Sequence, residues 1–386
     1  MSERPGPAII DPIPSAALEC PPLRVLQVTP RLAPHLGGVE THVREVTSRL
    51  AAHHVESAIL TADATRRLPR RDELDGVPVM RAPAWPSDRD YLFAPDVVKR
   101  IRRGDWNVVH VQSYHTLVAP LAMAAAGRAR IPYVVTFHGG GHSSRLRTAI
   151  RRPQLRLLRP LLVRAKALIS IADFEIEHYG ALLGVPRGRF VSIPNGADLP
   201  APSADPPPVS GRLIVSSGRL ERYKGHDRVL RALPQVLGKV PDARLWIAGA
   251  GPMEGELRGL AGELGVADRV EIGAADRQAL ADRLSRASLA VLLSEFESQP
   301  IAVLEAASLG IPLVVADNSG LAELATRGLA RAVDLADPPS AHARAMIEQL
   351  LHPLPARGVP IPSWDACARD LASLYRAVAG CRRCAS

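Results

Sequence analysis

Apolar runs and polar gaps divide the chain into two halves built alike. Short runs rich in Val, Ile, Leu and Ala recur at 23–29, 56–61, 108–112, 133–137, 167–171 and 191–193, and again at 213–217, 243–248, 270–272, 289–293 and 312–316. Being apolar nearly throughout rather than alternating, they predict parallel strands covered on both faces. Between them apolar residues return at helical spacing: 41–52 with Val43, Val46 and Leu50, then 227–237, 254–264, 278–286 and 301–309. The stretch APSADPPPVS at 201–210, stiffened by three consecutive prolines, reads as a linker. The pattern predicts an α/β fold with two domains, 23–203 and 204–362, each opening strand–loop–helix, and a ligand cleft between the two sheets. A final helix, about 363–380, offers Trp364, Leu371, Leu374 and Tyr375 as a packing face and is expected to cross back onto the first domain. Residues 1–22 read as a loose, Pro-rich leader.

Composition changes this picture little. A chain of 386 residues exceeds what one core supports, in keeping with two domains. No apolar run approaches the roughly 20 residues of a membrane span. The leader lacks the basic-then-apolar order of a signal peptide, so a cytoplasmic protein is expected. Four cysteines suit a reducing compartment. Cys381 and Cys384 have C-x-x-C spacing, but with no second pair and no nearby His they predict a reduced C-terminus rather than a metal site.

Charge is more telling. Residues 1–200 carry 27 basic against 18 acidic side chains, and residues 201–386 carry 21 of each, so the whole excess of +9 lies in the first half. The segment that opens at Ser143 and closes at Lys166 holds Arg145, Arg147, Arg151, Arg152, Arg156, Arg159 and Arg164 with no acid, interleaved with Leu155, Leu157, Leu158, Leu161 and Leu162. Two readings stand open: a surface that lies on anionic lipid at the inner face of the cell membrane, or a solvated basic helix. Nucleic acid is not an expected partner, because the segment lacks interleaved aromatics and no recognition motif accompanies it.

The stretch with the most chemistry is 294–323, SEFESQPIAVLEAASLGIPLVVADNSGLAE. A strand delivers the chain into a polar loop, the loop opens onto a helix closed by Gly310, and another strand follows. Glu297 in the loop and Glu305 in the helix stand beside a helix N-terminus, whose unpaired N–H groups and partial positive charge attract phosphate. Carboxylates beside an anion site predict a ligand with phosphate at one end and sugar hydroxyls at the other. Other loops at strand ends add to it. PRLAPHLGGVE carries Gly37 and Gly38, where backbone can approach a ligand closely. YVVTFHGGG places His138 ahead of three glycines, and GRLERYKG carries Arg219 and Lys224, a fork and a point charge suited to a diphosphate. Gly249-Ala250-Gly251 follows a strand, but Glu254 stands where a dinucleotide fingerprint needs its third glycine. Asp88-Arg89-Asp90 lies in a Pro-rich loop rather than at a strand end, so no metal is assigned to it.

Taken together, GGVE (37–40), TFHG (136–139), PNG (194–196), SGRLxxxKG (217–225), GAGP (249–252) and the pair Glu297 and Glu305 resemble the family 4 retaining glycosyltransferases, over nearly the whole chain. The resemblance implies a GT-B architecture of two Rossmann-like domains and transfer of a hexose-type sugar from a UDP- or GDP-sugar, with no metal and no other cofactor. It implies Gly37 and Gly38 under the donor phosphates, His138 at the transferred sugar, and Arg219 and Lys224 on the diphosphate. It further implies Glu297 on the sugar hydroxyls, Glu305 on the ribose, backbone at Ile272 and Gly273 on the base, and donor contacts from Gly251 and Ile301. One departure stands out. Where the family usually has Gly-Phe-Gly after the first Glu, this chain has Ser298-Gln299-Pro300, which is expected to alter sugar contacts, and Pro300 offers no N–H. The acceptor implied is a lipid-linked or polysaccharide precursor of the cell envelope; a soluble small molecule, or sugar-nucleotide epimerisation on the same fold, are the alternatives, and a non-catalytic nucleotide-sugar binder is disfavoured by the full set of site residues.

Overall fold

The computed structural model describes residues 23–35, 37–86, 92–139, 145–354 and 360–380, with backbone alone over 145–151. The leader with Cys20, the Asp88-Arg89-Asp90 motif, Gly140, Gly141, His142, Ser143, Ser144, Cys381 and Cys384 lie outside the described residues. The first half runs β1 (Leu23–Thr29), α1 (Gly38–Leu50), β2 (Val55–Asp63), β3 (Arg71–Leu74), β4 (Val77–Pro83), α2 (Asp96–Arg103), β5 (Val108–Gln112), α3 (Val118–Arg128), β6 (Tyr133–Thr136), α4 (Arg145–Leu162), β7 (Ala167–Ser170), α5 (Asp173–Leu183) and β8 (Phe190–Ser192). These strands form one sheet in the order β3-β4-β2-β1-β5-β6-β7-β8, parallel except for the β3–β4 pair.

The second half runs β9 (Arg212–Ser217), α6 (His226–Leu237), β10 (Ala243–Ala248), α7 (Glu254–Glu263), β11 (Val270–Gly273), α8 (Arg277–Leu284), β12 (Ala287–Leu292), α9 (Ile301–Ser308), β13 (Leu313–Ala316), α10 (Ser319–Thr326), β14 (Arg331–Val333) and α11 (Pro339–Leu351). Its sheet order is β11-β10-β9-β12-β13-β14, parallel throughout. Strand order reverses between β1 and β5 in one sheet and between β9 and β12 in the other. Open α/β sheets bind ligands at such reversals, outside the carboxyl ends of the strands. The loops that leave β1, β9 and β12 carry GGVE, SGRLxxxKG and Glu297, while TFHG, PNG and GAGP leave β6, β8 and β10.

Helix α12 (Trp364–Ala379) returns to the first domain. Ser363 caps it by accepting from the Ala366 amide, and Gly380 ends it in left-handed backbone at φ 76°. Trp364, Cys367, Leu371, Ala372 and Tyr375 are buried against Val25, Val108, Val134 and Ile169. The PNG turn receives the returning chain. The Ala197 amide donates to the Pro362 carbonyl at 3.1 Å, and the Trp364 amide donates to Asp198 Oδ2 at 2.7 Å. Gly196 lies directly against the Trp364 backbone, where any Cβ would collide.

Helix α4 corrects part of the reading of the basic segment. Leu155, Leu158 and Leu162 fall on one helical face and are buried in the first domain's core. They are not free to meet lipid. Leu157 is 80% exposed, and Arg152, Arg156, Arg164 and Lys166 are exposed beside it.

Candidate active site

The loop after β9 brings its cations inward. Lys224 Nζ lies 2.5 Å from Glu297 Oε1, with side-chain exposures of 14% and 9%. Burial alone would lower the Lys224 pKa, but the adjoining Glu297 carboxylate outweighs it and holds the ammonium above its ordinary value. Arg219 donates to the Tyr223 hydroxyl at 2.9 Å, so among the described residues its guanidinium is bonded to a phenol rather than a carboxylate. Gly225 has φ 72° and lies against the Leu293 carbonyl, so only glycine fits the turn that follows Lys224.

The start of α10 fixes the Glu297 loop. Glu297 N–H donates to Ser319 Oγ at 2.9 Å, and the Gly320 amide donates to the Glu297 carbonyl at 2.8 Å. Pro300 occupies the N-cap of α9 with extended backbone, and its carbonyl accepts from the Val303 and Leu304 amides at 3.1 and 3.2 Å. Its missing N–H costs nothing at a helix start, where first-turn amides lack helical partners anyway.

Glu305 is buried one turn into α9 and accepts from Arg277 Nη1 at 2.9 Å. Arg277 Nε lies 3.3 Å from Glu45 Oε1 of α1, so one guanidinium joins the two domains. Burial raises the Glu305 pKa, with Arg277 opposing. Arg277 was not legible as a site residue, since it sits at the first turn of a helix without any motif.

On the first domain's side, Gly37 precedes α1 and Gly38 opens it. A Cβ on Gly38 would lie 3.9 Å from Ile301 Cδ1, which sets this loop against the start of α9. His138, 7% exposed, holds left-handed backbone at φ 46° at the end of β6. Its Nε2 is 2.6 Å from Gln112 Oε1, and its ring meets that of His42 edge-on at 4.7 Å. Burial pushes the His138 pKa well down, so the imidazole is neutral near pH 7.

Ser298 and Gln299 are engaged across the domains. Gln299 Oε1 accepts from the Asn195 amide at 2.6 Å. A Cβ on Gly139 would stand 2.5 Å from both Ser298 Oγ and the Tyr179 hydroxyl, so only glycine lets the first domain's loop lie this close to Ser298. The Gly139 amide donates to buried Glu175 Oε1 at 2.8 Å. In this conformation Ser298 and Gln299 therefore serve domain contact, and Pro300 starts α9.

Gly251, at φ 158°, lies against the Leu220 backbone, 2.6 Å from its carbonyl oxygen to an added Cβ, and so packs the GAGP turn on the Arg219 loop. The Ile272 carbonyl accepts from Arg258 Nη2 at 2.6 Å, and the Gly273 carbonyl from the Gly249 amide at 2.8 Å. The structure thus brings Gly37, Gly38, His138, Arg219, Lys224, Glu297 and Ile301 to facing loops, while Ile272 and Gly273 stand at the end of β11 beyond β10. Among the described residues no group of three or more His, Cys, Asp or Glu side chains converges as metal ligands.

Two parallel sheets whose reversal points face each other over Arg219, Lys224 and two buried glutamates define a GT-B glycosyltransferase. Residues 36–200 match the family described as Glycosyltransferase Family 4, and residues 203–353 match Glycosyl transferases group 1. The chain belongs to glycosyltransferase family 4, and it is a glycosyltransferase. It is 30% identical over 338 residues to a glycogen synthase of Mycobacterium tuberculosis, covering 79% of this chain and 81% of that one. It is 26% identical over 379 residues to a GDP-mannose:cellobiosyl-diphosphopolyprenol alpha-mannosyltransferase of Komagataeibacter xylinus, covering 93% and 94%. Among solved structures, the sucrose-phosphate synthase of Thermosynechococcus elongatus shares the fold with a TM-score of 0.72 at 20% identity, covering 92% of this chain and 96% of that one.

Proposed function

We propose that the protein is a retaining hexosyltransferase that takes its sugar from a UDP- or GDP-hexose and passes it to a hydroxyl of a lipid-linked precursor of the cell envelope. The observation that carries this reading is the buried Lys224–Glu297 pair beside Arg219, set against the N-terminus of α9. With donor bound, Lys224 and Arg219 turn to the diphosphate and Glu297 accepts from sugar hydroxyls. Glu305, held by Arg277, takes the ribose, and Gly37, Gly38, Gly251 and Ile301 border the phosphates, with Ile272 and Gly273 next to the base. His138 meets the sugar. The proposal calls for no metal, because the two cations and the helix N-terminus face the developing negative charge.

The reaction breaks the bond from the anomeric carbon to the β-phosphate oxygen and forms one to the acceptor oxygen on the same face. The acceptor's proton passes to the departing phosphate, which needs no carboxylate nucleophile and no protonated histidine. The name of the Komagataeibacter relative, with GDP-mannose as donor and a diphosphopolyprenol acceptor, supports the donor and acceptor classes. The glycogen synthase likeness favours a second reading, in which the acceptor is a soluble polysaccharide.

A panel of UDP- and GDP-hexoses, scored by thermal shift and then by NMR of the slowly released sugar, tests the proposal. One nucleotide hexose should raise the melting temperature and release sugar with its anomeric configuration unchanged. Release of the inverted anomer would overturn retention, and no response to any member would overturn the donor class.

A further inference from the structure

The face of the first sheet that α12 covers is not uniformly apolar. Along β1, β5 and β6 the residues on this face read Val25-Gln27-Thr29, Val108-His110-Gln112 and Val134-Thr136, since every second side chain points the same way. Toward the cleft they turn polar, yet Gln27, His110, Gln112 and Thr136 are all buried. Buried polar groups of this kind are ordinarily paired, and here they are paired with one another in a single chain.

Gln27 Nε2 donates to the Tyr375 hydroxyl at 2.8 Å. That hydroxyl lies 2.6 Å from His110 Nδ1, and His110 Nε2 lies 2.7 Å from Thr136 Oγ1. Gln112 Nε2 donates to Gln27 Oε1 at 2.8 Å and lies 3.3 Å from His110 Nδ1. Its other amide atom, Oε1, faces His138 Nε2 at 2.6 Å. His110 Nδ1 faces a hydroxyl and an amide N–H, so it accepts, and the Gln112 oxygen is left to accept a hydrogen bond from His138 Nε2–H. No member reverses alone without setting two donors or two acceptors face to face.

We propose that Gln112 is a positioning residue for His138: with Gln27, His110 and the Tyr375 hydroxyl of the returning helix, it fixes the imidazole as the Nε2–H tautomer and leaves Nδ1 as its acceptor. The partner on one ring nitrogen decides the state of the other. A neutral ring so fixed accepts from a hydroxyl of the transferred sugar instead of donating to it. The inference rests on the placement of His138 at the sugar proposed above. It also gives α12 a role beyond packing, because Tyr375 ends the chain that reaches the cleft.

The test is ring-nitrogen NMR of the 15N-histidine-labelled full chain, with His138 assigned by comparison with His138→Gln. The wild type should show His138 as the Nε2–H tautomer. Gln112→Leu, which removes the acceptor, and Tyr375→Phe, which removes the link to His110, should both shift the ring toward the other tautomer. Gln112→Leu should also lower kcat about 10- to 100-fold with KM for donor near that of the wild type. Gln112→Glu keeps an acceptor but adds a charge, so it should retain the tautomer while raising the pH at which His138 protonates. An Nδ1–H ring in the wild type overturns the proposal, as do unchanged ring shifts and kcat in both neutral variants. The wild-type tautomer is read without substrate, so it decides this inference even if the nucleotide-sugar reading fails on the donor panel.

Discussion

Ser113, His138 and Ser319 hold left-handed backbone at φ 68°, 46° and 46°, each just past a strand end that borders the cleft. Such positions cost about 1–3 kcal/mol apiece for residues other than glycine and persist where surrounding contacts over-determine them. Ser319 shows the return: its hydroxyl receives the Glu297 amide. The Lys224–Glu297 pair is subject to a related test. Removing one partner of a buried pair leaves the other charge uncompensated, at a cost of about 3–5 kcal/mol when burial is complete and less with a cleft alongside. Glu297→Gln and Lys224→Met should each lower stability in urea, and the double variant should recover part of the loss; full additivity would show that the two do not interact. Buried histidines contribute to the acid sensitivity of the fold. Burial lowers His42 and His226 to about 4 from the ordinary 6.5. An unfolded chain takes up these protons below pH 6.5 while the folded one resists until about 4. Stability is therefore present above 6.5, falls as pH drops through this window, and stops falling from this source below 4. Melting temperatures from pH 8 to 4 should show that slope, and His226→Asn should flatten it; an unchanged slope in the variant would remove His226 from the account.

The elements divide by how plainly they declare themselves in sequence. Central strands such as β5, buried along all five residues, stand out as apolar runs. Strand β3, RDEL, does not, because it is an exposed edge whose charges discourage further pairing. Helix α5 is obscured in another way, since its DFEIEHYGALL face buries a carboxylate, Glu175, in addition to Ile176, Tyr179 and Leu183. Arg219, Lys224, Glu297 and Glu305 were legible because strand-end loops and spacing mark them. Gln112, Arg277 and Tyr375 were not, because a strand glutamine, a first-turn arginine and a helix tyrosine look ordinary until the fold links them to Glu305 or, through His110 and Gln112, to His138. Helix α12 was legible as a packing face, and Trp364 is its anchor, fully buried against the PNG turn. Trp364→Ala should cost about 3–5 kcal/mol by denaturant unfolding. A loss under about 1 kcal/mol would mean the helix is dispensable to the first domain.

Across the whole molecule, charge and domain contact act together. Polar links that join the domains on separate elements include Gln299 to the Asn195 amide, Arg277 to Glu45 and to the Asp198 carbonyl, and Glu323 to the Phe174 amide at the start of α5. The basic excess of the first domain and the exposed Arg152, Arg156, Arg164 and Lys166 of α4 and its end suit an anionic surface. Among the described residues no helix is long and apolar enough to cross a membrane. With Leu155, Leu158 and Leu162 committed to the core, any attachment through α4 should be chiefly electrostatic. The protein should therefore co-sediment with vesicles containing anionic lipid at low salt and be released as salt shortens the Debye length toward about 3 Å at 1 M. Absence of binding at low salt would leave α4 as a solvated helix. The central claim, that Arg219 and Lys224 carry the charge of a departing nucleoside diphosphate, is tested most directly by turnover of the preferred nucleotide hexose in Arg219→Ala and Lys224→Ala. The account predicts folded variants whose kcat falls about 100-fold or more each. Near wild-type turnover in either would contradict it.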